Sequence, residues 1–92
     1  MEQSTRIKCR SVVYRQGFIE VTPNIHEGLV NLEIWGVRAE CDLSSIELDG
    51  DELTDSDVEA NCELELAADE VRQLIKQLQQ ALARAERCGP TE

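Results

Sequence analysis

Apolar positions recur along this chain with two different periods. Over residues 68–88 they fall at Val71, Leu74, Ile75, Leu78, Leu82 and Ala85, spacings that gather them on one face of a helix. Asp69 and Glu70 stand in the first turn, where the helix dipole favours acids. Gly89 and Pro90 form a stop signal, because Gly takes the left-handed conformation and Pro cannot continue the ladder. Upstream the period is two, the mark of strands. Residues 6–14 alternate, with Ile7, Cys9, Ser11 and Val13 on one side. Arg15, Gln16 and Gly17 then read as a three-residue hairpin loop with Gly at its left-handed position. Residues 18–22 return with Ile19 and Val21 inward, and Pro23, Asn24 and Gly28 mark the next loop. Residues 29–35 carry Val30, Leu32 and Ile34 inward, and Gly36 permits a tight turn. Residues 37–43 return with Val37, Ala39, Cys41 and Leu43 inward. Residues 44–57 fit no single pattern; one reading has Ile46 and Leu48 extend that strand past a bulge at Ser44 and Ser45, before a turn at Asp49 and Gly50. Residues 58–66 alternate most cleanly, with Val58, Ala60, Cys62, Leu64 and Leu66 against Glu59, Asn61, Glu63 and Glu65.

These elements predict an α+β fold. The expectation is one domain over residues 1–92, an antiparallel meander of about five strands over residues 6–66. A single C-terminal amphipathic helix, residues 68–88, packs on its inner face. The place of the last strand is decided by two opposed arguments. Beside residues 37–43 it sets Glu59, Glu63 and Glu65 near Glu40 and Asp42, whereas beside the first strand they meet Arg6, Lys8 and Arg10. Like charges across a sheet cost at most roughly 0.2–1 kcal/mol each, and sequential strands are neighbours in about two-thirds of cases. The meander is favoured, and it concentrates acids on one side.

Charge sharpens that picture. The net charge is -10 over 92 residues. Residues 1–38 carry five Lys/Arg against four Asp/Glu and residues 72–92 four against two, whereas residues 39–71 hold thirteen acids and no base. Such a field disfavours direct binding to nucleic acid or an anionic membrane and favours a protein partner with a basic surface. Solubility alone also accounts for an acidic surface. The three aromatics, Tyr14, Phe18 and Trp35, all point away from the helix in the expected register. Tyr14 and Phe18 flank the first turn and sit opposite each other in that register, and antiparallel pairing brings Phe18 and Trp35 to the same end. They serve either as a contact surface or as braces for the hairpins under residues 44–57. The candidate partner-binding residues are therefore Tyr14, Phe18, Trp35, Glu59, Glu63 and Glu65.

Candidate chemistry adds little. Cys9, Cys41, Cys62 and Cys88 are scattered singly beside one histidine, His26, without the paired spacing of a zinc site. Cys9, Cys41 and Cys62 fall in phase with apolar neighbours and read as small buried hydrophobes with free thiols, and Cys88 reads as exposed. Asp49, Asp51, Asp55 and Asp57 invite a calcium reading, but from Asp51 the third position is Leu53 and the sixth Ser56, which fails the EF-hand pattern. His26 and Glu27 have no metalloprotease frame and no paired nucleophile. No catalytic residue, metal ligand or cofactor motif is assigned. No apolar run nears the roughly 20 residues of a membrane span and residues 1–6 are polar, so the expected compartment is the cytoplasm.

In overall character, a small acidic domain of strands followed by one helix without a catalytic signature, the chain resembles phage or mobile-element proteins that block host defence, such as anti-CRISPR inhibitors. The resemblance carries over no individual residue. It implies binding to a host protein surface, sometimes where nucleic acid would bind. The functional expectation is a non-enzymatic protein-binding module, an inhibitor of that kind acting through the acidic surface and the aromatic patch. The alternative is a self-associating accessory domain, a homodimer through the aromatic face, and a small enzyme or metal-binding protein is the distant third.

Overall fold

The structure, a computed structural model, describes residues 4–45 and 54–88. Its elements are β1 (Thr5–Cys9), β2 (Gly17–Pro23), β3 (Val30–Val37), β4 (Val58–Leu66) and α1 (Ala68–Cys88). The strands pair antiparallel in the order β1-β2-β3-β4. The meander and the helix follow the sequence pattern, but among the described residues the sheet has four strands, not five. The chain turns after Val37 instead of returning as a strand. The Cys41 N–H donates to the Arg38 carbonyl at 3.0 Å. Asp42 Oδ1 accepts from the Ser44 N–H at 3.1 Å and from Ser44 Oγ at 2.6 Å, and Leu43–Ser45 forms a 3-10 turn. Short Asp and Ser side chains bonding the local backbone favour such turns over a ladder. The bulge, Ile46, Leu48 and the Asp49–Gly50 turn, like the Gly89–Pro90 stop, lie wholly or partly outside the described residues.

The first hairpin also differs. β1 ends at Cys9, opposite Gly17, and the connection runs over residues 10–16 through a 3-10 turn at Val13–Arg15. Gly17 is not left-handed; among the described residues only Asn24 and Gly28 have positive φ, at 59° and 81°. Gly17 is required by crowding, since a Cβ there would lie 1.9 Å from the Trp35 carbonyl oxygen. Gly36, expected to turn the chain, sits inside β3 opposite Gly17 and Ala60.

The register sorts side chains onto two faces. On one, Lys8, Phe18, Trp35 and Asn61 form a row beside Arg6, Glu20, Glu33 and Glu63. The core lies at the aromatic end of this face, where Phe18, Val37 and Leu43 are buried and Trp35 and Cys41 pack against them. The other face is apolar. Ile7, Ile19, Ile34 and Cys62 form one row across it, and Thr5, Val21, Leu32 and Leu64 the next.

The helix was expected to cover that apolar face, and it does not. No residue of α1 is buried; Leu78 is 59% exposed, and Leu64 on the sheet 63%. The cause is local. Only Ala67 separates β4 from α1, its carbonyl accepts the first helical bond from the Val71 N–H at 2.9 Å, and Glu70 Oε1 reaches back to the Ala67 N–H at 2.8 Å. A helix nucleated so close to the strand end takes its direction there, packs only its first turns near β4, and stands clear of the sheet. The radius of gyration, 15.0 Å, exceeds the roughly 12 Å of a compact chain this long.

Candidate interaction surfaces

Three surfaces bear on function: the aromatic end, the acidic row of β4, and the bare apolar face with the helix. At the aromatic end Phe18 and Trp35 are direct cross-strand partners and stack with centroids 5.6 Å apart at 16°. Phe18 is 8% exposed, so it braces the sheet and offers no surface to a partner. The turn over residues 38–45 supplies the cover, with Leu43 laid over the rings. Two polar groups hold that turn down. Gln16, itself buried, donates through Nε2 to the carbonyls of Arg38 at 2.6 Å and Cys41 at 2.7 Å. Lys8 Nζ donates to the Leu43 carbonyl at 2.9 Å. Neither contact follows from periodicity, because a Gln beside a Gly in a turn carries no pattern. The Trp35 indole Nε1 is buried without a hydrogen-bond partner.

Tyr14 is not opposite Phe18, whose β1 partner is Lys8. It lies in the 3-10 turn, 77% exposed, with the Arg15 guanidinium 5.7 Å from its ring centroid. The structure thus joins two of the three aromatics and leaves the third in solvent.

Glu59, Glu63 and Glu65 are exposed on β4, an edge strand, where charge discourages pairing with another sheet. Their neighbours differ from expectation, because the strand that would have carried Glu40 and Asp42 is absent. Glu63 faces Glu33, and Asn61 Nδ2 donates to Glu33 Oε2 at 3.0 Å. Glu65 Oε1 pairs with His26 Nδ1 at 2.5 Å. Gly36 pairs with Ala60 and Val37 with Val58, so Glu59 is the unmatched residue of a bulge.

One ion pair ties the turn after β3 to the start of β4. Arg38 Nη2 meets Asp57 Oδ1 at 3.0 Å, and the Arg38 N–H donates to the Asp57 carbonyl at 2.9 Å. The hydrogen bond to Asp57 raises the Arg38 pKa. The Thr54 backbone N–H, then Arg38, hold the Asp57 carboxyl below its usual range. The Ser44 hydroxyl and backbone N–H do the same for Asp42. Asp57 is therefore occupied within the fold, while Asp49 and Asp51 of the calcium reading lie outside the described residues. Among the described residues no three His, Cys, Asp or Glu side chains are placed to share a metal ion.

All four cysteines are free thiols. Cys41 alone joins the core, where burial pushes its pKa up. Cys9 and Cys62, expected to be buried, are exposed because they lie on the uncovered face. Two shallow depressions, of about 230 and 200 Å³, fall below the roughly 300 Å³ at which ligand pockets begin. The second is bounded by Cys9, Gly17, Ile19, Ile34 and Gly36 and opens on the apolar face. No helix among the described residues is long and apolar enough to cross a membrane. Compared with known proteins, the chain matches no family model, no curated protein and no solved structure.

Proposed function

We propose that this chain is a non-enzymatic protein-binding module. The observation that carries the reading is apolar surface left uncovered in two places: Ile7, Ile34 and Leu64 on the sheet, and Ile75, Leu78 and Leu82 along the helix, are each about half exposed or more. Apolar patches of this extent mark interaction sites. The anchor thus moves from the aromatic patch to the opposite face. The acidic row of β4 speeds encounter with a basic partner, because long-range attraction raises association rates. Inhibition of a host defence complex, the role implied by the resemblance to anti-CRISPR proteins, is a particular form of this reading.

The test compares the wild-type chain with Leu64→Asp and Leu78→Asp in sedimentation and in affinity capture from a host lysate, after circular dichroism shows each variant folded. The wild type associates, with itself or with another protein, and the variants lose that association. Variants that match the wild type in both measurements refute the module.

A further inference from the structure

Resting on that reading, we infer that the occupant of the apolar surface is a second copy of this chain, with α1 of each protomer laid on the apolar sheet face of its partner. Each chain carries both halves of a helix-on-sheet layer, yet its helix leaves β4 after one residue and stands clear of its own sheet. A two-fold axis satisfies both halves at once, since the helix of each copy supplies what the sheet of the other lacks.

Dimensions agree. The apolar stripe from Val71 to Ala85 is roughly 20 Å long at the helical rise. The apolar face from the level of Leu66 to that of Ala60 is also roughly 20 Å at the strand rise. The depression beside Ile19 and Ile34, about 200 Å³ in volume, has room for a projecting leucine, and Gly17 and Gly36 at its floor allow close approach. Area agrees as well. A half-exposed Leu or Ile leaves roughly 50 Å² of apolar surface to cover. Over the named residues of two copies, with the polar rim, that reaches roughly 1,000 Å², the size at which specific interfaces begin.

Charge raises no barrier at this seam: the β4 residues on the apolar face are Ala60, Cys62, Leu64 and Leu66, with Glu63 and Glu65 on the opposite face, while residues 72–88 hold Arg72, Lys76, Arg84 and Arg87 against Glu86 alone.

The first measurement is sedimentation of the wild-type chain, which has a mass of 10.3 kDa. Twice that mass is expected, with the dissociation constant raised at least roughly 100-fold by Leu64→Asp or Leu78→Asp, each of which buries an unpaired carboxylate. The second uses Cys62, which sits on the sheet face. With Cys9, Cys41 and Cys88 replaced by Ser, single Leu74→Cys, Leu78→Cys and Leu82→Cys variants are oxidised with copper phenanthroline. At least one gives a covalent dimer on a denaturing gel, and adding Cys62→Ser abolishes it. A wild type that stays at 10.3 kDa up to hundreds of micromolar overturns the inference. So does a disulfide formed within one chain, which would place the helix on its own sheet, or a covalent dimer that survives Cys62→Ser, which would mean helix-on-helix contact. A monomer that captures another protein, and loses it on Leu64→Asp, overturns the second copy while leaving the binding module standing.

Discussion

Leu43→Ala separates the core that the structure contains from the core that the helix pattern predicts. Leu43 is 1% exposed and lies over Phe18 and Val37. Truncation removes three carbons that are wholly out of water and leaves a void under the turn over residues 38–45. Buried Leu→Ala changes cost about 2–5 kcal/mol. The lower half of that range applies, because one wall is a surface turn that can settle into the space. Leu78 is 59% exposed, so in a single chain only the remaining fraction of its transfer energy is at stake, under about 1 kcal/mol. A chain of this length has roughly 5–14 kcal/mol of stability in all, so the two variants should differ visibly. The assay is urea unfolding followed by the fluorescence of Trp35, the sole tryptophan. With a slope of about 1.5 kcal/mol per molar urea, Leu43→Ala lowers the midpoint by roughly 1–2 M. Leu78→Ala lowers it by well under 1 M at low protein concentration and by more as concentration rises, where the proposed dimer would add to stability. A large, concentration-independent loss from Leu78→Ala beside a small one from Leu43→Ala would show that the helix, and not the cluster around Leu43, forms the core of the monomer.

Four further outcomes are expected. Gly17→Ala drives a Cβ into the Trp35 carbonyl, 1.9 Å away; prising β2 from β3 costs roughly 3 kcal/mol and removes the near-ultraviolet dichroism of Trp35. Gln16→Ala strands the carbonyls of Arg38 and Cys41, about 1–3 kcal/mol by urea midpoint, and midpoints equal to wild type would mean that water replaces the clamp. The Asp57 and Asp42 carboxyls are lowered in the fold, by Thr54 and Arg38 and by Ser44 respectively. Their stabilisation is therefore complete above the unfolded carboxyl value of about 4 and lost as pH falls through the lower folded values, so the urea midpoint drops from pH 5 to pH 2 and Asp57→Asn flattens the drop. Burial raises the Cys41 thiol while Cys88 is exposed, so iodoacetamide at pH 8 labels Cys88 before Cys41 by peptide mass spectrometry, and equal rates would remove Cys41 from the core.

Much of this architecture was legible where period and length agreed. The span of α1, the alternation of β4 and the meander follow from spacing, and the meeting of Phe18 and Trp35 follows from antiparallel pairing alone. What period could not show was whether Val37, Ala39, Cys41 and Leu43 formed a strand. Those residues alternate, but the Asp42 carboxylate accepts from both the N–H and the hydroxyl of Ser44, and the turn so made drops Leu43 onto the aromatic pair instead. The same limit hid Gln16, whose importance comes from two carbonyls more than twenty residues away in sequence. Of the candidate site, the exposed acids of β4 were readable from alternation, whereas the burial of Phe18 depended on a turn that alternation disguised as a strand.

The helix teaches a sharper distinction. An amphipathic stripe states that a face needs cover, and a period-two sheet states the same of its own face, but neither pattern names the chain that supplies it. In a compact domain the nearest helix serves because its connection is long enough to fold back. Here the link is the single residue Ala67, closed by the Val71 and Glu70 hydrogen bonds, so the two complementary surfaces of one chain are held apart. Fold and function then meet at this junction. The feature that leaves Leu64 and Leu78 in water, and this sheet with only a three-residue hydrophobic core among the described residues, is the feature that leaves the surface open to the partner proposed above. Lengthening the link is therefore the informative change: inserting a flexible Gly-Ser-Gly-Ser segment after Ala67 lets α1 close on its own sheet. The variant should become a monomer whose unfolding midpoint no longer depends on concentration, because closure within one chain replaces closure between two. If it remains as dimeric as the wild type, the short junction is not what directs the helix outward.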